Sequence, residues 1–363
     1  MAKSSRDERE FSTLRMIAGQ LGLHVSTVSR VLNSTSESAR RAASQQTADR
    51  IRSLAYDLGY MPNPHARNLR SRHSGEVAVL VPRVSDLVLA NIYEAIQLEA
   101  SRHGLQSFVV STYDDPGTHD LAIQSMIERR VEGVIIADSR LDRTYGDALR
   151  RAEVPAVCVS RRASDLRSVT CDDLSGGALA AEHLLERGHT RVAVVAGQFY
   201  ASTGVDRTRG FCDRFEKYGH PVSPALIKHS SFDAVGGRNA LDALADHLPD
   251  ITAIFAVNDF TAIGVMGALR DRQVVVGRDV AVAGFNDISL ARDLPISLTT
   301  VRSPMQEMGR RACQLLIELM AGKVIASEKL KPVLEVRQST EMSVGTSARP
   351  KPRRRPQEHA ANS

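Results

Sequence analysis

The sequence predicts an all-α helix-turn-helix headpiece over residues 11–60, a hinge helix and linker over 61–75, and a repeated doubly wound α/β body over 76–342. Three observations predict it. Apolar residues near the N-terminus recur at three- and four-residue spacing, with glycines at the breaks. From Val77 onward, short β-branched runs alternate with helix-length segments. A chain of 363 residues exceeds one small domain, and its charge is partitioned: residues 1–75 carry 12 Lys/Arg against 6 Asp/Glu, 343–363 carry 5 against 1, and the middle carries 30 against 35. Positive charge thus sits at the two ends, where a polyanion would dock.

Within the headpiece, Leu14, Ile17, Ala18 and Leu21 form one helical stripe that Thr13 can cap; Gly22 breaks it, and Val28, Val31 and Leu32 resume it. Gly22 suits the turn because it takes left-handed backbone geometry without a side-chain clash. On the second helix Val25, Ser26, Thr27, Ser29 and Arg30 are left on the outward face. A helix in a major groove reads base edges with its N-terminal residues, so Val25 and Ser26 are placed against methyl or acceptor groups and Arg30 against a guanine. A helical hairpin of any small domain is the competing reading. The third helix starts at Ser44, an N-cap, runs through Ala48, Ile51, Leu54, Ala55 and Leu58, and ends at Gly59.

The next segment favours DNA. In PNPHARNLR, Pro62 to Arg70, Asn63 reads as an N-cap and Pro64 as a first-turn residue of a helix too short to be stable alone. Ala66 is small enough for close helix contact, Arg67 and Arg70 suit phosphates, and Leu69 can wedge a minor-groove base step open. Arg40 and Arg41, in the loop before the third helix, add phosphate contacts or are simply solvated; both readings stand.

In the body, VAVLVP at Val77, SFVVST at Ser107, GVIIA at Gly133, AVCVS at Ala156, RVAVVAG at Arg191, AIFAV at Ala253 and VAVAGF at Val280 read as buried parallel strands. Each is succeeded by a helix-length segment, the doubly wound pattern repeated.

With these strings, and with DDLSGGALAAEHLLERGHTRVAVVAG from Asp172, DRTRGF from Asp206, TAIFAVNDFTAIGVMGAL from Thr252 and VAVAGFNDISLARDLPISLTTVR from Val280, the chain closely resembles the lactose-repressor/galactose-repressor family of bacterial transcription regulators, from about Thr13 to about Thr340. The resemblance implies a periplasmic-binding-protein-like body of two lobes, about 76–170 with 301–330 and about 171–300 with 331–342, crossing over near Cys171, Thr300 and Lys331. It implies a homodimer on a pseudo-palindromic operator, modulated by a small polar effector in the interlobe cleft.

The resemblance also places the cleft residues. Arg207 stands where relatives present an arginine to sugar hydroxyls or an anionic group, with a surface ion pair as the alternative. Asn258 is an effector contact, while Asp259 suits a capping role on the next helix. Asn286 replaces a commonly acidic residue, Ser160 a commonly acidic or amide one, and Asp86, Leu87, Val88 and Leu89 replace a string that carries stacking aromatics; Val88 then lines the cleft. These departures weaken the case for a neutral hexose and leave sugar, sugar acid and sugar phosphate open. His24 replaces a serine that caps the reading helix, and about five extra residues lengthen the loop within SESARRAAS from Ser36.

Other classes are disfavoured. Cys158, Cys171, Cys212 and Cys313 have no short spacing, so no zinc knuckle or redox pair is expected, and no metal or cofactor. The N-terminus is charged and no run approaches a membrane span, which predicts a cytoplasmic protein at the nucleoid rather than an exported sugar-binding protein. No Walker loop, GxGxxG after the first strand or nucleophile elbow points to an enzyme. The basic tail 343–363 lacks a leucine heptad and is expected to be disordered, a solubilising end before a DNA tether. An effector-independent DNA-binding regulator remains the second reading.

Overall fold

The structure, a computed structural model, describes residues 14–33, 42–60 and 74–341. The chain divides after Gly75 into two compact units.

In the first unit, α1 (14–21) and α2 (Val25–Asn33) are separated by a three-residue turn, and α3 (Gln45–Asp57) comes next. Leu14, Ile17 and Ala18 of α1, Val28 and Val31 of α2, and Ala48, Ile51 and Ala55 of α3 are buried together. Two glycines end helices in the same way. At Gly22 (φ +63) the amide of Leu23 returns to the Ala18 carbonyl at 2.9 Å and that of Gly22 to Gly19 at 3.3 Å. At Gly59 (φ +64) Tyr60 returns to Ala55 at 2.8 Å and Gly59 to Tyr56 at 3.0 Å. Both close the last helical carbonyls with a left-handed residue that a Cβ would disfavour. The Ser44 hydroxyl accepts from the Thr47 amide at 3.3 Å, the N-cap of α3. Thr13, Arg40, Arg41 and the tail lie outside the described residues.

The second unit holds two six-stranded sheets. The first comprises β1 (Glu76–Val81), β2 (Gln106–Ser111), β3 (Gly133–Ile136), β4 (Ala156–Val159), β5 (Arg167–Cys171) and β11 (Glu328–Leu330), in the order β11-β5-β4-β3-β1-β2, all parallel. The second comprises β6 (Val192–Ala196), β7 (Ile227–His229), β8 (Ala253–Ala256), β9 (Ala281–Asn286), β10 (Thr299–Arg302) and β12 (Val333–Glu335), in the order β12-β10-β9-β8-β6-β7, with only β12 antiparallel. The chain passes between sheets after β5, after β10 and between β11 and β12. Helix α4 (Leu87–Arg102), α5 (Pro116–Arg129) and α6 (Gly146–Arg151) belong to the first lobe, and α7 (Asp173–Glu186), α8 (Ser202–Lys217), α9 (Ala234–Asp242), α10 (Asp259–Asp271) and α11 (Ser289–Asp293) to the second. Helix α12 (Met305–Met320) returns to the first lobe, packing on α4, β3, β4 and β5.

All seven strands read from the sequence are present, but β2, read as buried, is half-buried at a sheet edge where one side has no neighbour to cover it. Five further strands are β5, β7, β10, β11 and β12, whose strings RSVTC, IKH, TTVR, EKL and VLE are short and mixed in polarity. They lie at sheet edges or next to crossovers, where no uninterrupted apolar run is required.

Helices α7 and α8 approach until backbone meets backbone. A Cβ on Gly177 would stand 2.1 Å from the Arg207 carbonyl oxygen, and one on Gly210 2.0 Å from that of Leu174. Gly210→Ala is therefore expected to cost about 1–3 kcal/mol by forced separation of the pair. Urea unfolding of the variant with an unchanged midpoint would contradict this.

Candidate functional site

Both sheets share one strand order about their first strands, so each has a switch point, between β1 and β3 and between β6 and β8. Ligands of doubly wound sheets bind outside the carboxyl ends at such points. A cavity of about 400 Å³ lies there, beyond the ends of β1 to β4 at Pro82, Tyr113, Ala137 and Ser160, beyond the ends of β6 to β8 at Gln198, Ser231 and Asn258, and at the last residue of β9, Asn286.

Val88, Ser160, Arg207, Asn258 and Asn286 all line this cavity. Their bonding differs from the expectation in three places. Arg207 is no surface ion pair: its Nε donates to Asp173 Oδ1 at 2.7 Å, its Nη1 to the Val257 carbonyl at 2.9 Å, and its guanidinium lies 3.8 Å over the Phe285 ring. The cap of α10 is Asn258, not Asp259; its Oδ1 accepts from the Thr261 amide at 2.8 Å and its Nδ2 donates to the Phe232 carbonyl at 2.9 Å, so both ends of the amide are engaged. Asp259 instead accepts from the Thr300 hydroxyl at 2.5 Å and the Ile288 amide at 2.8 Å. Asn286 has a buried, unpartnered side-chain oxygen. It is 4% exposed, sits at φ +109, and its Oδ1 has no partner among the described residues.

The missing aromatic wall is supplied from elsewhere. Tyr113, Tyr200 and Phe232 line the cavity from other loops, and Phe260 from the first turn of α10. Carboxylates are not scarce either: Asp86 caps α4 through the Val88 amide at 2.9 Å, and Asp114 takes the Arg161 guanidinium at 2.6 Å. Arg161, buried and cavity-lining, is a site residue that the sequence does not single out. Its partner is 47 residues away, so no spacing announces the pair.

Burial sets the electrostatics. It pushes the Asp86 carboxyl above its ordinary value, against the Val88 amide and Arg161. It pushes Asp173 up to about 6 despite Arg207, and Asp259 up to about 7 despite Thr300 and Ile288. The thiols of Cys158, Cys171 and Cys313 are buried and pushed to about 12, which fits inert core residues.

In the headpiece, Ser26 and Arg30 are exposed, Thr27 and Ser29 half-buried, and Val25 half-buried against the core rather than fully outward. His24 performs the capping role itself. Its Nδ1 accepts from the Ser26 amide at 3.2 Å and hydrogen-bonds the Ser26 hydroxyl at 2.7 Å. Asn63, Ala66, Arg67, Leu69 and Arg70 lie outside the described residues. Among the described residues no helix is long and apolar enough to cross a membrane, and no group of three metal-ligating side chains occurs.

A reading helix followed by a two-lobed body with a lined cleft defines a DNA-binding regulator that carries a ligand-binding domain. A family profile described as a periplasmic binding protein-like domain matches residues 181–340. The HTH-type transcriptional regulator DegA of Bacillus subtilis is 30% identical over 336 residues, 91% of this chain and 98% of its own. GalS of Salmonella typhimurium, also an HTH-type transcriptional regulator, is 30% identical over 333 residues, 90% of this chain and 96% of its own. The solved complex of the transcriptional regulator CelR with cellobiose superposes with a TM-score of 0.69 at 27% identity, covering 90% of this chain and 99% of that one. The chain belongs to the LacI/GalR family of helix-turn-helix transcriptional regulators and is not an enzyme.

The raised carboxyls give a pH signature. Above 3.8 the unfolded chain sheds a proton that native Asp259 keeps until about pH 7. The stability this group contributes is full at low pH and lost as pH rises through that value. Calorimetry from about pH 5 to about pH 8 should find the wild-type unfolding midpoint falling more steeply than that of Asp259→Asn. Equal slopes would place the titration elsewhere.

Proposed function

We propose that the chain is a homodimeric repressor acting on DNA in the cytoplasm, whose hold on a pseudo-palindromic operator is set by a small polyhydroxylated effector in the cleft. The observation that carries the effector half is the cavity at the facing switch points, with Asn286 in its wall. Asparagine amides, three carboxylates, three guanidinia and several aromatic faces match a ring with hydroxyls on its rim and C–H groups on its face. The lining sets Asp86, Asp114 and Asp233 against Arg83, Arg161 and Arg207, and with no surplus of positive charge it favours a neutral sugar over the sugar acid or phosphate that the sequence left open. The cellobiose bound by CelR belongs to the same chemical class.

The DNA half rests on the exposed Ser26 and Arg30 of α2, with Val25, Thr27 and Ser29 beside them. Asn63, Ala66, Arg67, Leu69 and Arg70 are assigned to a hinge helix, which pairs with its copy in the dimer and inserts Leu69 at the operator centre. Dimerisation follows from that hinge, since so short a helix needs a partner.

Selection of bound sequences from random DNA, followed by titration of neutral sugars and anionic sugar derivatives against the winning duplex, tests the whole reading. A palindromic winner whose affinity shifts with a neutral sugar is expected; affinity indifferent to every metabolite favours an effector-independent regulator. Arg30→Ala should weaken binding by about 1–3 kcal/mol and relax preference at one base pair. Leu69→Ala should lose DNA bending in a circular-permutation gel while keeping salt-sensitive nonspecific binding. Undistorted DNA with the wild-type protein would remove the wedge.

A further inference from the structure

The covalent links between the lobes leave β5, β10 and β11, near one end of each sheet. A second set of links, all noncovalent, joins loops after β2, β3 and β4 to the segment from Tyr200 to Asp206. Two are backbone donors: the Leu141 amide gives its hydrogen to the Tyr200 carbonyl at 2.8 Å, and the Arg162 amide to the Ser202 hydroxyl at 3.0 Å. The Arg162 guanidinium grips the Asp206 carboxylate through both terminal nitrogens. The Tyr200 hydroxyl donates to Asp114 at 3.3 Å, and Arg140 stacks 3.8 Å over the Tyr200 ring. Arg161, tied to Asp114, lies 5.3 Å from the Phe232 ring centre on the opposite lobe.

We propose that the Tyr200–Asp206 segment is an interlobe strap that holds the cleft closed on its own strength, so that an effector must wait for its release. Every bond in it is made between protein groups, none of which needs a ligand to complete it. The two amides are the decisive members. Both lie in loops outside regular structure, and each finds its acceptor only on the other lobe. On release both amides exchange these acceptors for water, so the contact favours the closed arrangement by the net worth of the two hydrogen bonds added to that of the ion pair. Tyr200 and Arg161 are also cavity walls, which makes the strap and the binding site one structure. Apparent effector affinity is then the intrinsic affinity scaled by the fraction of molecules with the strap released.

The test needs neither effector nor DNA, so its failure leaves the regulatory reading intact. Amide-resolved hydrogen exchange is followed on the full-length protein alone, with Val134 to Ile136 of β3 as internal reference. The Leu141 and Arg162 amides are expected to exchange at least about tenfold more slowly than unprotected loop amides, and to lose that protection in the double variant Tyr200→Phe, Asp206→Asn while the β3 amides keep theirs. Arg162→Gln, which breaks the same ion pair from the first lobe, should do likewise and serves if the double variant is misfolded. Loop-like exchange of both amides in the wild type, or protection that survives Arg162→Gln, overturns the strap.

Discussion

One buried guanidinium organises the second lobe. Arg207 is 4% exposed and is bonded to Asp173 at the start of α7, to the carbonyl at the end of β8, and to the face of Phe285 on β9. Desolvating a charge is costly unless its partner is close and its remaining donors are met. Here the partner lies at 2.7 Å and two of the guanidinium nitrogens are bonded, and burial still pushes the Asp173 carboxyl up to about 6. Phe285 is also met by the bare backbone of Gly176, where a Cβ would stand 2.5 Å from the ring. Behind the cavity-lining Arg207, glycine, ring and guanidinium are thus packed together. Removal of Asp173 from this setting leaves an unpaired buried charge, with a loss typically of about 3–5 kcal/mol.

What could be read from the residues divides along the range of the forces involved. Local signals survived intact: Gly22 and Gly59 close helices because only a short-range steric rule is at work, and the buried strands of β1, β3, β4, β6, β8 and β9 announce themselves as apolar runs. Strand β7, Ile227–His229, is three residues at a sheet edge and has no such run to offer. At the cleft, residue identities at strand ends were legible, yet their bonding was not. Asn258 and Asp259 are adjacent, and both can cap a helix or meet a ligand. The choice depends on Phe232, 26 residues from Asn258, and on Thr300, 41 residues from Asp259, each in contact across that separation. Aromatic walls escaped notice for the same reason, since Tyr200 and Phe232 come from loops with no common spacing.

The reading helix illustrates a second kind of substitution. A histidine at an N-cap position lacks the short hydroxyl or carboxylate that usually accepts there. In this chain the ring nitrogen of His24 reaches the Ser26 amide, and the same nitrogen engages the Ser26 hydroxyl. Helix initiation is preserved, while Ser26 is drawn towards the cap and Arg30 stays exposed one turn further along α2. Under the proposed assignment of α2 to base reading, recognition would lean on the guanidinium more than a serine-capped helix of the same length requires.

A cleft can influence the rest of a protein only through atoms that bond both its wall and something that moves. The turn at Asn286 and Asp287 meets that condition. Both residues are held at positive φ, +109 and +58, a cost that surrounding bonds must offset. Asp287 accepts from Arg302 at 2.8 Å and from Arg337 at 2.6 Å, and the Asn286 carbonyl accepts from the Ser303 amide at 3.2 Å. Arg302 and Ser303 begin the chain's return to the first lobe, and Arg337 comes after the last crossing. The strained turn in the cavity wall is thus bonded to Arg302 and Ser303, at the second of the three segments joining the lobes, and to Arg337 beyond the third. Under the proposed effector reading, a ligand touching that turn would acquire from it a differential affinity for two lobe arrangements, the only means by which a ligand shifts such an equilibrium.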